Sequence, residues 1–340
     1  MTYLISICIP VYNCGAYLGE ALDSILPQAD DRVEVVIYDG GSTDNTTDVV
    51  RPYLAAAPHL RYHRGAARGG IDADMAKCVA LASGEYCWLF SGDDVMRPGA
   101  LPRAIDTIRS GHDVYVCQHT LCDIAMTVSR EYPVLKPNRA LTAELSDAGA
   151  RREWFRRAAN SEAFFSFMSG LVVRRAKWLE GRLIPEFDGS CWAHVARLFE
   201  LIEGGLSASY VAEIWLDQRG DNDSFREKGI VDRVRLAIEG FNRIADRFFS
   251  HESVEAFHVR RVLRNEFSLK GFCYLKLLTS QGSFRSQRAL LDRMVEEAYS
   301  DRTPETAVKK TIYRWAPPWA IRVGIVVWRL LRGRRAIPLR

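Results

Sequence analysis

Ala82-Ser-Gly-Glu-Tyr-Cys-Trp-Leu-Phe-Ser-Gly-Asp-Asp94 is the stretch on which the reading of this chain turns. Tyr86 to Phe90 is an apolar, aromatic run of strand length, which predicts a buried strand. Ser91-Gly92 interrupts it with small residues, and two adjacent carboxylates follow, Asp93 and Asp94. The carboxyl end of a strand is where an open α/β sheet binds its ligands. Two hard oxygen donors there suit Mg²⁺ or Mn²⁺, which in turn hold a diphosphate. Asp and Gly are also ordinary turn residues, so the segment alone reads equally well as a solvated turn before Pro98-Gly99.

Two upstream segments favour the first reading. Ile5-Ser-Ile-Cys-Ile-Pro-Val-Tyr-Asn13 is strand-like and ends in a Pro and an Asn. Val33-Glu-Val-Val-Ile-Tyr-Asp39 is a β-branched strand that ends in an acid, and Gly40-Gly41-Ser42-Thr43-Asp44 makes the turn after it. Ser42 or Thr43 is positioned to cap a helix running through Thr47-Asp-Val-Val50. Between the strands, Ala16 to Ile25 puts Leu18, Leu22 and Ile25 on one helical face. Strand, helix, strand, helix, strand predicts an α/β chain with a mostly parallel sheet and helices on both faces. Right-handed crossovers then bring all the strand ends to one edge.

The trio Pro10-Val-Tyr-Asn13, Asp39-Gly-Gly-Ser-Thr-Asp-Asn-Thr46 and Ala82 to Asp94, in this order, resembles the family-2 glycosyltransferases of the GT-A (Rossmann-like) fold. The resemblance covers roughly residues 3–225. It implies a nucleotide-sugar donor, a Mn²⁺ or Mg²⁺ ion, and transfer of the sugar, with inversion, to an acceptor hydroxyl. It implies that Pro10, Val11, Tyr12, Asn13, Asp39 and Gly41 line the base and ribose pocket. Ser91, Gly92 and Asp93 take the place of the family's D-x-D motif, with Asp93 as metal ligand and Asp94 assisting.

Three departures stand out. The first Asp of D-x-D is Ser91. The usual A-R-N-x-G is replaced by Gly70-Ile-Asp72-Ala-Asp74-Met-Ala-Lys77. Acids two residues apart on a helix face different ways, so Asp74 is expected at the ribose or base, and Asp72 as a helix N-terminal acid. The usual acidic pair on the acceptor side is replaced by Phe187-Asp188-Gly-Ser-Cys-Trp192-Ala-His194. These departures resemble the abequosyltransferase-like branch, which adds dideoxyhexoses in bacterial O-antigen assembly.

Inverting transfer needs a base for the acceptor proton, and His194 or Asp188 can serve. His194 reads equally as a metal ligand, a phosphate contact or a structural residue. Asp188 reads equally as the N-cap of a helix beginning near Ser190. Trp192 is either a stacking platform for the acceptor sugar or core. The resemblance suggests that Arg219 approaches the diphosphate, and a guanidinium matches phosphate geometry; a solvated surface arginine is the plain alternative. Residues 123–150 lack a pattern and are expected to form a loop over the site.

The 340 residues suffice for one α/β domain plus an appendage. The expected division is 1–225 catalytic, 226–305 helical and 306–340 a basic amphipathic tail. Eight cysteines lie mostly in apolar strands and form no C-x-x-C pair, which points to reduced thiols rather than disulfides or zinc. The start of the chain has no signal-peptide pattern, so a cytoplasmic protein is expected. Net charge is +4, yet nine bases and no acid follow Glu305, leaving the first 305 residues at −5.

In the tail, Arg322, Arg329 and Arg332 share one helical face, with tryptophans at 315, 319 and 328. The apolar stretch is shorter than the ~20 residues a bilayer span needs. A helix lying in an anionic membrane surface and a helix docked on the catalytic domain both fit. Nucleic acid is disfavoured, because no stacking or phosphate-clamping module accompanies the charge. A peripheral position on the inner face of the plasma membrane and a lipid-linked saccharide acceptor are the resulting expectations. A catalytically silent nucleotide-sugar-binding scaffold is the alternative that the lost acids admit. No G-x-G-x-x-G follows the first strand, which argues against a dinucleotide-dependent oxidoreductase.

Overall fold

The computed structural model describes residues 3–222, 229–280, 282–301 and 303–324. They fall into two compact units that divide at Asn222.

The first unit is built on a mixed sheet. Its strands are β1 (Ile5–Val11), β2 (Val33–Asp39), β3 (Leu60–Arg64), β4 (Tyr86–Leu89), β5 (Val95–Met96), β6 (Val114–Cys122), β7 (Val128–Tyr132), β8 (Leu141–Glu144), β9 (Leu171–Arg174) and β10 (Ser207–Gln218). Along the sheet the order is β3-β2-β1-β4-β9-β6-β10-β5, with β7 beside β6 and β8 beside β10. The parallel arrangement read from the sequence holds across β3-β2-β1-β4. Beyond β4 the sheet is not mostly parallel: β9 enters antiparallel to both β4 and β6, and β10 runs parallel to β6. Only the first three crossovers carry the βαβ pattern that dictates parallel pairing.

Alternation builds two faces. Ile5, Ile7, Ile9 and Val11 of β1 and Val33, Val35 and Ile37 of β2 bury one face. Leu18, Leu22 and Ile25 of α1 (Leu18–Ile25), Val50 of α2 (Thr46–Ala56) and Leu101, Ile105 and Ile108 of α4 (Ala100–Ile108) cover it. Each fully buried side chain of this size contributes about 1.5–3 kcal/mol, so this face carries much of the stability. The opposite face carries α3 (Ile71–Leu81), whose Cys78 thiol donates to the Val36 carbonyl at 3.1 Å.

The sheet opens where the site lies. β4 pairs with β1 only from Ile5 to Cys8, while β2 follows β1 to Val11. Pro10 shares the parity of Cys8, whose carbonyl accepts the Phe90 N–H at 2.9 Å. Its missing N–H therefore faces the side that β4 has left, and no ladder bond is lost.

Two local expectations change. Residues 123–150 are not a loop over the site: they supply β7, paired with β6, and β8, paired with β10, and lead into α5 (Ala148–Arg157). Neither Ser42 nor Thr43 caps α2. Its N-cap is Asn45, without a side-chain bond, and Asp44 takes the Thr46 N–H at 3.0 Å.

The second unit is helical: α8 (Asp232–Phe248), α9 (Val254–Glu266), α10 (Leu269–Leu278), α11 (Arg288–Ala298) and α12 (Pro304–Trp315). Phe241, Ile244, Leu263 and Leu275 are buried, whereas Phe257 is exposed. Residues 318–324 are again helical. Arg329 and Arg332 of the predicted tail face lie outside the described residues.

Candidate active site

The strand order reverses at β1, between β2 and β4, and the carboxyl ends of these three strands converge there. That is the switch point at which open α/β sheets bind ligands.

The end of β1 is tied to the turn after β2. Asn13 adopts a left-handed φ of 53°. Its N–H donates to Ser42 Oγ at 2.9 Å, and its Oδ1 accepts the Thr43 N–H at 2.7 Å. Cys14 N–H donates to Thr46 Oγ1 and Gly15 N–H to Asp44. Pro10 and Val11 are buried within β1, and the Tyr12 ring lies under the Arg68 guanidinium, 4.2 Å from ring centre to Cζ.

Three buried acids differ in how fully they are satisfied. Asp39 is fully buried and accepts from Ser42 N–H at 2.7 Å and from the Tyr62 hydroxyl at 2.5 Å. Asp72 is also buried, but it does not merely face its own helix terminus: its carboxylate accepts the Cys191 and Ala193 N–H groups at 2.8 and 3.2 Å. Asp74 is 3% exposed, and its Oδ1 has no partner among the described residues. It packs on backbone: a Cβ on Gly40 would collide with its Oδ2, and one on Gly69 would come within 2.7 Å of Oδ1. Gly41 follows with a φ of +84°. Burial raises the Asp74 carboxyl above the usual range, Lys77 and Arg68 oppose this in part, and Asp39 adds to it.

The segment after β4 holds the second acid cluster. Gly92 has no room for a Cβ, which would lie 2.9 Å from Cys14 Sγ and Val11 Cγ1. Asp93 is half-buried; the Ser91 hydroxyl donates to one carboxylate oxygen, and Asn222 Nδ2 donates to the other at 2.9 Å. Asp94 points elsewhere. It is buried, with Oδ2 taken by the Ser169 hydroxyl at 2.6 Å and Oδ1 by the Arg219 N–H at 3.0 Å. It joins β9's entry to β10's exit rather than presenting an open ligand.

Arg219 is likewise engaged. Its Nε donates to the Asp93 carbonyl at 2.9 Å, its Nη1 to the Ile124 carbonyl at 2.7 Å, and its Nη2 pairs with Glu20. The guanidinium is buried over the Tyr17 ring and fixes the backbone that carries Asp93.

On the acceptor side, α7 (Ala193–Glu200) begins later than expected, with Trp192 as N-cap. Asp188 is exposed and does not cap it; Asp72 takes that role. Trp192 is buried and offers no open ring for stacking. His194 is 6% exposed, and neither ring nitrogen has a hydrogen-bond partner among the described residues. Burial lowers it to about 4; the backbone of Ser166 and Phe165 approaches the ring without hydrogen-bond geometry and counters this in part. It is a neutral imidazole at pH 7. Beside it, the segment 160–167 brings Glu162 within 3.3 Å of His119 Nδ1, and the His119 ring lies 4.6 Å from Phe167. The sequence reading missed this pair, and its only signal was the aromatic run at Phe164 to Phe167. Among the described residues no group of three or more His, Cys, Asp or Glu side chains is arranged to hold a metal.

The comparison with known families fits this geometry. Residues 6–161 match the model of the glycosyl transferase family 2. The chain carries a family-2 glycosyltransferase domain. Over 253 residues this glycosyltransferase is 28% identical to abequosyltransferase RfbV of Salmonella typhimurium, covering 73% of this chain and 76% of that one. A crystal structure of S. aureus TarS residues 1–349 in complex with UDP-GlcNAc superposes with a TM-score of 0.58 at 16% identity, over 99% and 95% of the two chains. A mannosyltransferase from Pyrobaculum calidifontis, PcManGT, in complex with GDP-Man and Mn²⁺, gives 0.54 at 16% identity, over 98% of this chain and 89% of that one. These two share the GT-A fold with the present enzyme.

Proposed function

We propose that this glycosyltransferase moves a sugar from a nucleoside diphosphate to a hydroxyl of a lipid-linked saccharide during assembly of a bacterial surface polysaccharide. The observation that carries the donor half is Asp74: a buried carboxylate with an open oxygen at the switch point, which only an N–H or O–H donor from outside satisfies. The nucleotide's base or ribose supplies such donors. Similarity to an abequosyltransferase supports a dideoxyhexose as the sugar. The acid-free basic tail with its tryptophans supports a place at the cytoplasmic face of the membrane.

Asp93 fits a divalent cation. Its carboxylate and the adjacent Ser91 hydroxyl are hard oxygen donors, while Asn222 faces it through its amide N–H₂. A site with one or two protein carboxylates is usual for Mg²⁺, which keeps waters and takes further ligands from phosphate. When bound, such an ion offsets the charge that develops on the leaving diphosphate.

The protein's own groups then do the following. Asp74 and the Tyr12 ring hold the nucleoside. Arg219 and Asp94 keep the Ser91–Asp93 turn rigid, so that Asp93 needs no rearrangement. His194 accepts the acceptor hydroxyl's proton on a ring nitrogen. The oxygen's electron pair forms the bond to C1, and the C1–O pair leaves with the nucleoside diphosphate. A low-lying imidazole is free at pH 7, and a bound diphosphate would raise its basicity.

Thermal shift with CDP, UDP, GDP and dTDP, each with and without Mn²⁺, tests the reading. The expected result is stabilisation by one nucleotide that grows with the metal. Stabilisation by none of them would overturn the donor site.

A further inference from the structure

α12 has one face that is satisfied and one that is not. On the inner face Tyr313 and Thr306 are buried, and the Tyr313 hydroxyl donates to Asp292 at 2.6 Å. The helix is pinned at both ends. Thr303 and Thr306 form a reciprocal cap at its start. At its end the buried Lys276 ammonium donates to the carbonyls of Tyr313, Arg314 and Ala316 at 2.6, 3.1 and 2.9 Å. A cation there completes the last turn's open carbonyls and opposes the negative end of the dipole.

Among the described residues the outer face is apolar and exposed. Val308, Ile312 and Trp315 follow at helical spacing and are 57, 47 and 76% exposed. After Ala316-Pro317, helix 318–324 exposes Trp319 and Val323 to 69 and 56%. Two tryptophans held open on a fixed helix end are not a solvated surface's usual content.

We propose that this face is a docking surface for an anionic lipid bilayer. The proposal extends the lipid-linked-acceptor reading and rests on it in taking the partner to be a membrane. Charge selects this occupant: Lys309, Lys310, Arg314 and Arg322 flank the apolar residues, and no acid follows Glu305 in the chain. The in-chain partners of three of these bases, Glu305 and Glu296, are exposed. Such surface pairs are weak and exchange readily for lipid phosphate. Tryptophan prefers the headgroup level, and lysine and arginine stems reach from it to phosphate. Among the described residues no helix is long and apolar enough to cross a membrane, so the helix lies on the bilayer rather than through it.

The test is flotation of the full chain with vesicles of phosphatidylcholine alone and with phosphatidylglycerol added. Wild type should float with the mixed vesicles and be released by high salt. Trp315→Ser with Trp319→Ser should weaken this by about tenfold or more, with its circular dichroism melt unchanged. Lys310→Glu with Arg314→Glu should weaken binding to the phosphatidylglycerol vesicles alone. Equal flotation of the tryptophan variant, equal binding to both vesicle types, or self-association that the tryptophan change abolishes while flotation persists would each overturn the proposal. Transfer of sugar to a saccharide carried on a lipid in the same vesicles, measured on the same samples, separates the two readings. Flotation without transfer supports the surface while sinking the acceptor assignment.

Discussion

The two ends of the parallel strands each bury a carboxylate, and they treat it in opposite ways. At the amino end Glu34 is 1% exposed and receives the hydroxyls of Ser6 and Ser83 at 2.5 and 2.8 Å, the Ser83 N–H at 2.6 Å and the Arg61 guanidinium at 2.5 Å. Burial pushes its pKa up, but these donors and Arg61 outweigh it and hold the group below its usual value. At the carboxyl end Asp74 is buried to a similar degree with an open oxygen, and burial wins. A buried charge with both oxygens met is a structural joint. One left open is destabilising until a ligand arrives. On the proposed function, the fold keeps a structural joint at one edge and its chemistry at the other.

The largest expected effect tests the chemical edge. Asp93→Ala should lower turnover by about 10³-fold, the order seen when a group facing developing charge is lost, with the melting temperature unchanged. Turnover within a few fold of wild type would remove Asp93 from the reaction.

At the structural edge, Glu34→Gln should cost about 1–3 kcal/mol, since an amide replaces a buried carboxylate that accepts four hydrogen bonds, and should leave KM for the donor unchanged in the folded enzyme. Urea melts would show the loss. The sign with pH follows from the direction of the shift. Glu34 is depressed in the folded state, so its contribution is complete above the unfolded value of about 4.3. It is lost as pH falls through the folded pKa, and the gap between wild type and variant should close in acid.

His194→Gln should reduce kcat by about 10²-fold with little change in donor binding. In wild type the acid limb of the free enzyme should fall as pH drops through about 4, where the imidazole gains its proton. A variant that keeps both rate and acid limb would make His194 structural.

The smallest effect sharpens the contrast most. Asp74→Asn should weaken nucleotide binding by about tenfold, the worth of one hydrogen bond to a charged group, yet melt at the same or a higher temperature. Because the Asp74 carboxyl is raised, its penalty exists above the folded pKa and fades as pH falls through it. Any stability advantage of the variant should therefore shrink in acid, and equilibrium melts across pH would show it. A clear loss of stability at neutral pH would make Asp74 a second joint like Glu34.

Much of the chemical edge was legible in the chain. β1, β2 and β4 are short runs of β-branched and aromatic residues, each closed by a polar residue, and periodicity reads such elements well. The opposed directions of Asp72 and Asp74 follow from helix geometry alone. What stayed hidden was set at a distance. Arg219 meets Glu20 across 199 residues, and Asp72 meets Ala193 across 121. No local pattern announces such pairs. The exposed strand Val128-Ser-Arg-Glu-Tyr132 lacks an apolar face and is held by backbone pairing to β6, so it resembled a loop. Asp94 shows the same limit, since its adjacency to Asp93 suggested a shared role that its side-chain direction denies it.

Asp72 and Asp74 stand two residues apart on the first turn of α3, one gripping the backbone beside His194 and the other with an oxygen that no described residue meets. Anyone rebuilding this enzyme for a different nucleotide will meet that arrangement first. If Asp74 and His194 have the roles proposed, residues 70–74 cannot be redrawn to suit a new base without also resetting the backbone that carries His194. Donor and acceptor choice are therefore expected to mutate together, and a library that varies one turn while freezing residues 189–194 should return well-folded proteins with poor turnover.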